Sequence, residues 1–109
     1  MLDDEKSWEV IATDDVEEDL AGFVEYLLYE KKNEQAATAV IDDYDETIER
    51  LEGSEGAFGP MNNPRLAELG YRKILFQRHN YYLIYRIEGN KAIVDHMYHG
   101  LQDKDGVFE

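Results

Sequence analysis

The chain has 109 residues, no cysteine and a formal net charge of −14. That length suits one domain with one modest core, and the missing cysteine excludes disulfides, thiolate zinc sites and a cysteine nucleophile. The charge is unevenly spread: residues 1–55 carry 19 Asp and Glu against 4 Lys and Arg, and residues 56–109 carry 6 against 7, so an anionic partner has only the C-terminal half to approach.

Residues 1–6 read as a charged lead, since Leu2 is followed at once by Asp3, Asp4, Glu5 and Lys6. Nothing there resembles a signal peptide, and no apolar run reaches the length of a bilayer span. The expectation is a soluble cytoplasmic protein with one domain over residues 1–109, flexible at 1–6 and 104–109. Residues 7–12 then alternate Trp8, Val10 and Ala12 against Ser7, Glu9 and Ile11, a short strand whose place in a sheet the sequence leaves open.

Thr13 stands where a helix N-cap belongs, and Asp14, Asp15, Glu17 and Glu18 fill the first turn, where the helix dipole favours negative charge. Val16, Leu20, Phe23, Val24, Leu27 and Leu28 form one apolar stripe. Lys31 and Lys32 close this helix and Asn33 caps a second over residues 34–51, with Ala37, Val40, Ile41, Tyr44, Ile48 and Leu51 as its buried face. So short a link implies an antiparallel two-helix hairpin. Asp42, Asp43, Asp45 and Glu46 fan around the second helix without a nearby His, which argues against a metal site; no cofactor is expected either.

Residues 53–63 form a loop marked by Gly53, Gly56, Gly59 and Pro60, with Phe58 and Met61 as candidate anchors, and residues 64–69 suit one short helical turn behind Asn63. Residues 70–103 hold three β-rich runs separated by Arg78-His79-Asn80 and Gly89-Asn90, turn chemistry compatible with positive φ. They read as a three-stranded antiparallel meander, which makes the fold class α+β: strand, helical hairpin, then meander, in a small curved sheet. In the middle strand Tyr81, Leu83, Tyr85 and Ile87 share a core face, and Tyr82, Ile84 and Arg86 share a face suited to contact. In the last strand Ile93, Asp95 and Met97 compete with Val94, His96 and Tyr98 for the core, each set carrying one polar residue. Leu101, Val107 and Phe108 can pack back from the tail.

These residues carry a resemblance. The helix start from Thr13 to Leu20, the run Gly70-Tyr71-Arg72-Lys73-Ile74, the pattern Tyr82-x-x-Tyr85-Arg86-Ile87 and the segment from Met97 through His99 to Asp103 occur in the order and spacing of the RelE/ParE superfamily, the toxins of type II toxin-antitoxin modules. The resemblance covers residues 8–103 and implies a toxin neutralised by a cognate antitoxin protein, within a toxin-antitoxin hetero-oligomer, without a membrane partner.

Two mechanisms occur in that superfamily. RelE-like toxins cut mRNA on the ribosome, a reaction that needs cations to hold the phosphate and a group to move protons. Lys73 matches one of their basic positions, but Leu75, Tyr82, Gln102 and Phe108 stand where the pattern has two arginines, another basic residue and a tyrosine. If this chain is a nuclease, Lys73, Arg86 and His99 are the catalytic candidates, with Arg72 and His96 in support. ParE-like toxins inhibit DNA gyrase without catalysis, and the long hairpin with His99 closing the last strand before a polar run to Asp103 resembles them. The altered positions favour that action; a nuclease with a divergent site and a non-toxic binding remnant are the alternatives. The target-binding set is Arg72, Lys73, Tyr82, Arg86, His96, His99 and Gln102. His79 reads as an exposed bystander, as does His96 despite its place in that set, and His99 reads equally as a structural hydrogen-bonding group. A further expectation is electrostatic: a basic or amphipathic antitoxin segment along the acidic helices, with another part over Arg72, Lys73 and Arg86.

Overall fold

A computed structural model describes residues 8–54 and 64–100. Its elements are β1 (Glu9–Ala12), α1 (Asp14–Glu25), α2 (Glu34–Ser54), α3 (Pro64–Glu68), β2 (Tyr71–Leu75), β3 (Tyr81–Glu88) and β4 (Lys91–His99). Local chemistry explains most of the boundaries. Thr13 Oγ1 accepts from the Val16 amide at 3.2 Å while its hydroxyl donates to Val94 O at 3.0 Å, so the cap also ties α1 to the sheet. After Glu25 the helix widens into a π-turn, Tyr26–Glu30, with the Lys31 amide donating to Tyr26 O at 3.1 Å. Lys32, at φ +51°, ends it, and Asn33 Oδ1 accepts from the Ala36 amide at 3.0 Å to begin α2.

The four strands lie in the order β1-β4-β3-β2. β1 pairs parallel with the first half of β4, Glu9 opposite Lys91 through Ala12 opposite Val94, and the other neighbours are antiparallel. The sequence leaves the place of β1 open because a strand of four residues specifies no neighbour; its parallel return needs the distant β4. Gly89 turns β3 into β4 at φ +63°. No residue from Gln77 to Asn80 has positive φ, so that reversal does not use the left-handed region that its turn residues allow.

The helical hairpin covers one face of the sheet. Val16, Val40, Tyr44 and Leu51 meet Ile74, Phe76, Tyr81, Leu83, Tyr85, Val94 and Met97 in one buried cluster, each fully buried aliphatic side chain contributing about 1.5–3 kcal/mol. Trp8 packs against this cluster and its Nε1–H donates to Leu51 O at 3.1 Å. Ile41 departs from expectation at 38 % exposure: one residue past Val40 is 100° around the helix, and α2 turns Val40, Asp43, Tyr44 and Thr47 inward instead.

The last strand follows neither of its two expected alternations. Ala92, Val94 and Met97 are buried, an even–even–odd pattern, because Ile84 opposes His96 while Tyr85 opposes Val94, leaving Asp95 as the extra residue of a β-bulge. The bulge switches parity once, so each candidate set is right for half of the strand.

Candidate functional site

Strand register sorts the sequence-predicted residues onto two faces. Residues directly opposite in a sheet point the same way, so Lys73 (opposite Ile84), Tyr82 (opposite Tyr98), Arg86 and His96 share the face away from the hairpin. Arg72, opposite Tyr85, and His99, opposite Tyr81, lie on the hairpin side. Gln102 lies outside the described residues, as do Phe58, Met61, Leu101, Asp103, Val107 and Phe108.

The face away from the hairpin is only partly open, which corrects its reading as a bare contact surface. Tyr82 is 2 % and Ile84 0 % exposed, because Leu66 of α3, Tyr71 and Tyr98 close over them in a second small cluster. A short helix laid over an edge of the sheet is a tertiary event with no signature in strand alternation. The accessible part of this face is its rim. Lys73 Nζ sits 5.1 Å from the Tyr82 ring centroid, a cation–π contact, and His96 lies beside Tyr98 with ring centroids 5.9 Å apart.

Arg86 pairs with two carboxylates. Its Nε–H donates to Asp95 Oδ2 at 2.8 Å and its Nη1 to Glu88 Oε2. The hydrogen bond to Asp95 is the main reason its pKa lies still higher than an arginine's usual value. The bulge therefore has a chemical product, since it brings the Asp95 carboxylate against the guanidinium.

Two further carboxylates carry histidines that the sequence leaves as exposed bystanders. His96 Nδ1 lies 3.1 Å from Asp19 Oδ2, and the same oxygen accepts from the Met97 amide at 3.0 Å. β1 stops opposite Val94, so Asp19 on α1 serves the edge of β4 where no strand follows. His79 Nδ1 lies 2.8 Å from Asp43 Oδ2, which also accepts from the Arg78 amide at 3.0 Å. Asp43 is wholly buried and its Oδ1 has no hydrogen-bond partner. Burial pushes its carboxyl up, but the His79 and Arg78 hydrogen bonds and the His79 charge outweigh that and hold it below the usual carboxylate range. A signal for this residue exists in the sequence: Asp43 interrupts the apolar stripe between Val40 and Thr47 at helical spacing. Among the described residues no group of His, Asp and Glu is arranged to hold a metal ion.

His99 stands apart from the other candidates. Its ring meets Tyr81 edge-on at 5.1 Å, and Tyr81 meets Phe23 of α1 at 4.9 Å. Burial raises the Tyr81 pKa, and that of Tyr98, above the usual phenol value. No helix of the described residues is long and apolar enough to cross a membrane.

Comparison with known proteins agrees with this architecture. A solved structure described as the chromosomal ParDE TA system from P. aeruginosa superposes with a TM-score of 0.68 at 18 % identity, covering 86 % of this chain and 97 % of that one, a likeness of fold. No curated protein sequence matches the chain. The family profile described as ParE toxin of type II toxin-antitoxin system, parDE, matches residues 10–103. With nearly the whole sequence matched, the chain belongs to the ParE toxin family.

Proposed function

We propose that this toxin acts by binding rather than by catalysis, that its target is DNA gyrase, and that the rim around Lys73, Arg86 and His96 contributes to the contact. The observation that carries this reading is the division of the would-be nuclease set. His99 lies on the hairpin side of the sheet, and Lys73 and Arg86 lie on the other. Cutting a phosphodiester by its own 2′-hydroxyl needs phosphate-holding cations and a proton-moving group around one point. Arg86 is moreover engaged by Asp95 and Glu88, which suits orientation of a guanidinium more than capture of a phosphate. A net charge of −14 is also a handicap for entering an RNA-rich site.

The nuclease reading keeps one observation in its favour, namely that His96 shares a face with Lys73 and Arg86. One experiment separates the outcomes. Purified protein is added to gyrase with relaxed plasmid and, separately, to translating ribosomes. Inhibited supercoiling with intact mRNA supports the proposal; mRNA cut within codons with normal supercoiling replaces it with the nuclease. Neither effect, together with unimpeded growth on induction without antitoxin, leaves a binding remnant. The cognate antitoxin remains the partner that family membership implies in every case.

A further inference from the structure

Thr13 and Asp19 tie α1 to β4 at two points. Thr13 donates to Val94 O through its hydroxyl at 3.0 Å and through its amide at 3.1 Å, and farther along the helix Asp19 Oδ2 accepts the Met97 amide at 3.0 Å. The same oxygen lies 3.1 Å from His96 Nδ1. An ionised carboxylate only accepts, so the proton between them belongs to the imidazole. In neutral His96 this selects the Nδ1–H tautomer and makes Nε2 the acceptor of the ring. Tyr98 lies against that ring, with centroids 5.9 Å and planes 32° apart. Tautomer and orientation are thus both set by neighbours.

Strand register carries His96 into the contact rim. Lys73 is opposite Ile84, and Ile84 is opposite His96, so one row across three strands reads Lys73, Ile84, His96, and Asp19 continues it beyond the sheet. Two strand spacings put the Lys73 and His96 backbones about 10 Å apart. The next row holds Tyr82 opposite Tyr98, with ring centroids 5.9 Å apart. Each end of the rim therefore rests on one tyrosine of a pair: Lys73 on Tyr82 and His96 on Tyr98. The His96 side chain is 33 % exposed, enough to touch a partner.

Closing the edge of β4 needs only the bond from the Met97 amide. The bond from the imidazole is additional, and it falls on a side chain of the rim. We propose that Asp19 is a positioning residue of the target contact: its carboxylate fixes the tautomer and orientation of His96, and His96 meets the target. A ring already held in place loses less freedom on binding than one that must be ordered. This rests on the rim around Lys73, Arg86 and His96 being the surface that meets gyrase.

The test uses the full-length chain and three variants, Asp19→Asn, His96→Ala and the two together. Asp19→Asn removes the charge but keeps an oxygen for the Met97 amide, and melting by circular dichroism checks that each variant is folded at the assay temperature. Nitrogen NMR shifts of the His96 ring at about pH 8.5, where imidazole is neutral, are expected to show the Nδ1–H form in the wild-type chain. In Asp19→Asn they are expected to move toward the Nε2–H form. Inhibition of supercoiling is expected to weaken about tenfold in His96→Ala, about threefold in Asp19→Asn and only about tenfold in the double variant, where nothing remains to be positioned. A wild-type ring in the Nε2–H form overturns the proposal, and that measurement needs no variant. So does a double variant weakened about thirtyfold, as independent effects would make it, or inhibition that neither single variant changes. If the wild-type chain leaves gyrase unaffected, the target reading fails and the same cycle is read on growth arrest; additive losses, or no arrest at all, overturn the proposal there as well.

Discussion

Asp43 of α2 and His79, in the turn before β3, are joined at 2.8 Å across 36 residues of sequence, with the carboxylate wholly buried. Together with the Arg78 amide this pins the β2–β3 turn onto the helical hairpin. Removing either partner leaves the other short of a hydrogen bond in a poorly hydrated place, so Asp43→Ala and His79→Ala are each expected to cost about 2–4 kcal/mol in urea unfolding. Because the Asp43 pKa is depressed in the folded state, its contribution is present above the ordinary carboxylate pKa and is lost as pH falls through the lower, folded value. Stability of Asp43→Asn should accordingly fall less steeply than wild type below about pH 4.

Tyr44 sets the opposite limit. Burial, with Glu17 and Asp45 adding to it, pushes its phenol up to about 12 from 10.0. The unfolded chain ionises first, so stability is full below pH 10 and declines as pH rises toward 12, by roughly 2–3 kcal/mol from this group alone. Tyr44→Phe should show a shallower alkaline decline in the same unfolding measurement, at the cost of little packing.

Asp95→Ala tests whether the Arg86 pairing is structural. The pair is partly exposed, with side-chain exposures of 35 % and 19 %, so its loss should cost no more than about 1 kcal/mol. If Arg86 contacts the target, Arg86→Ala should weaken toxicity while Asp95→Ala changes it less; equal unfolding curves for the two variants would separate that effect from misfolding.

Asp19 closes the edge of β4 beyond the end of β1. Asp19→Ala should cost about 1–3 kcal/mol, since a buried-side amide and a histidine lose one acceptor together. Hydrogen exchange at the Met97 amide should accelerate by more than the global loss of stability explains, whereas the amides of residues 91–94, paired with β1, should follow the global change.

The order of elements, the N-caps at Thr13 and Asn33, the core face of β3 through Tyr81, Leu83 and Tyr85, and the family to which the order of motifs belongs are all legible in the residues alone. All of these are local, because a capping hydroxyl or a period of two or 3.6 is expressed within one turn or one strand. The parallel return of β1 to β4, the bulge at Asp95 that switches the inward side of β4, and the cover of Leu66 and Tyr98 over Tyr82 and Ile84 arise only in the packed molecule. Tertiary structure likewise decides the partners of Asp43 and Asp19, because a carboxylate meets its histidine 36 or 77 residues away through the packing of helix on sheet. No spacing rule in the chain encodes that distance.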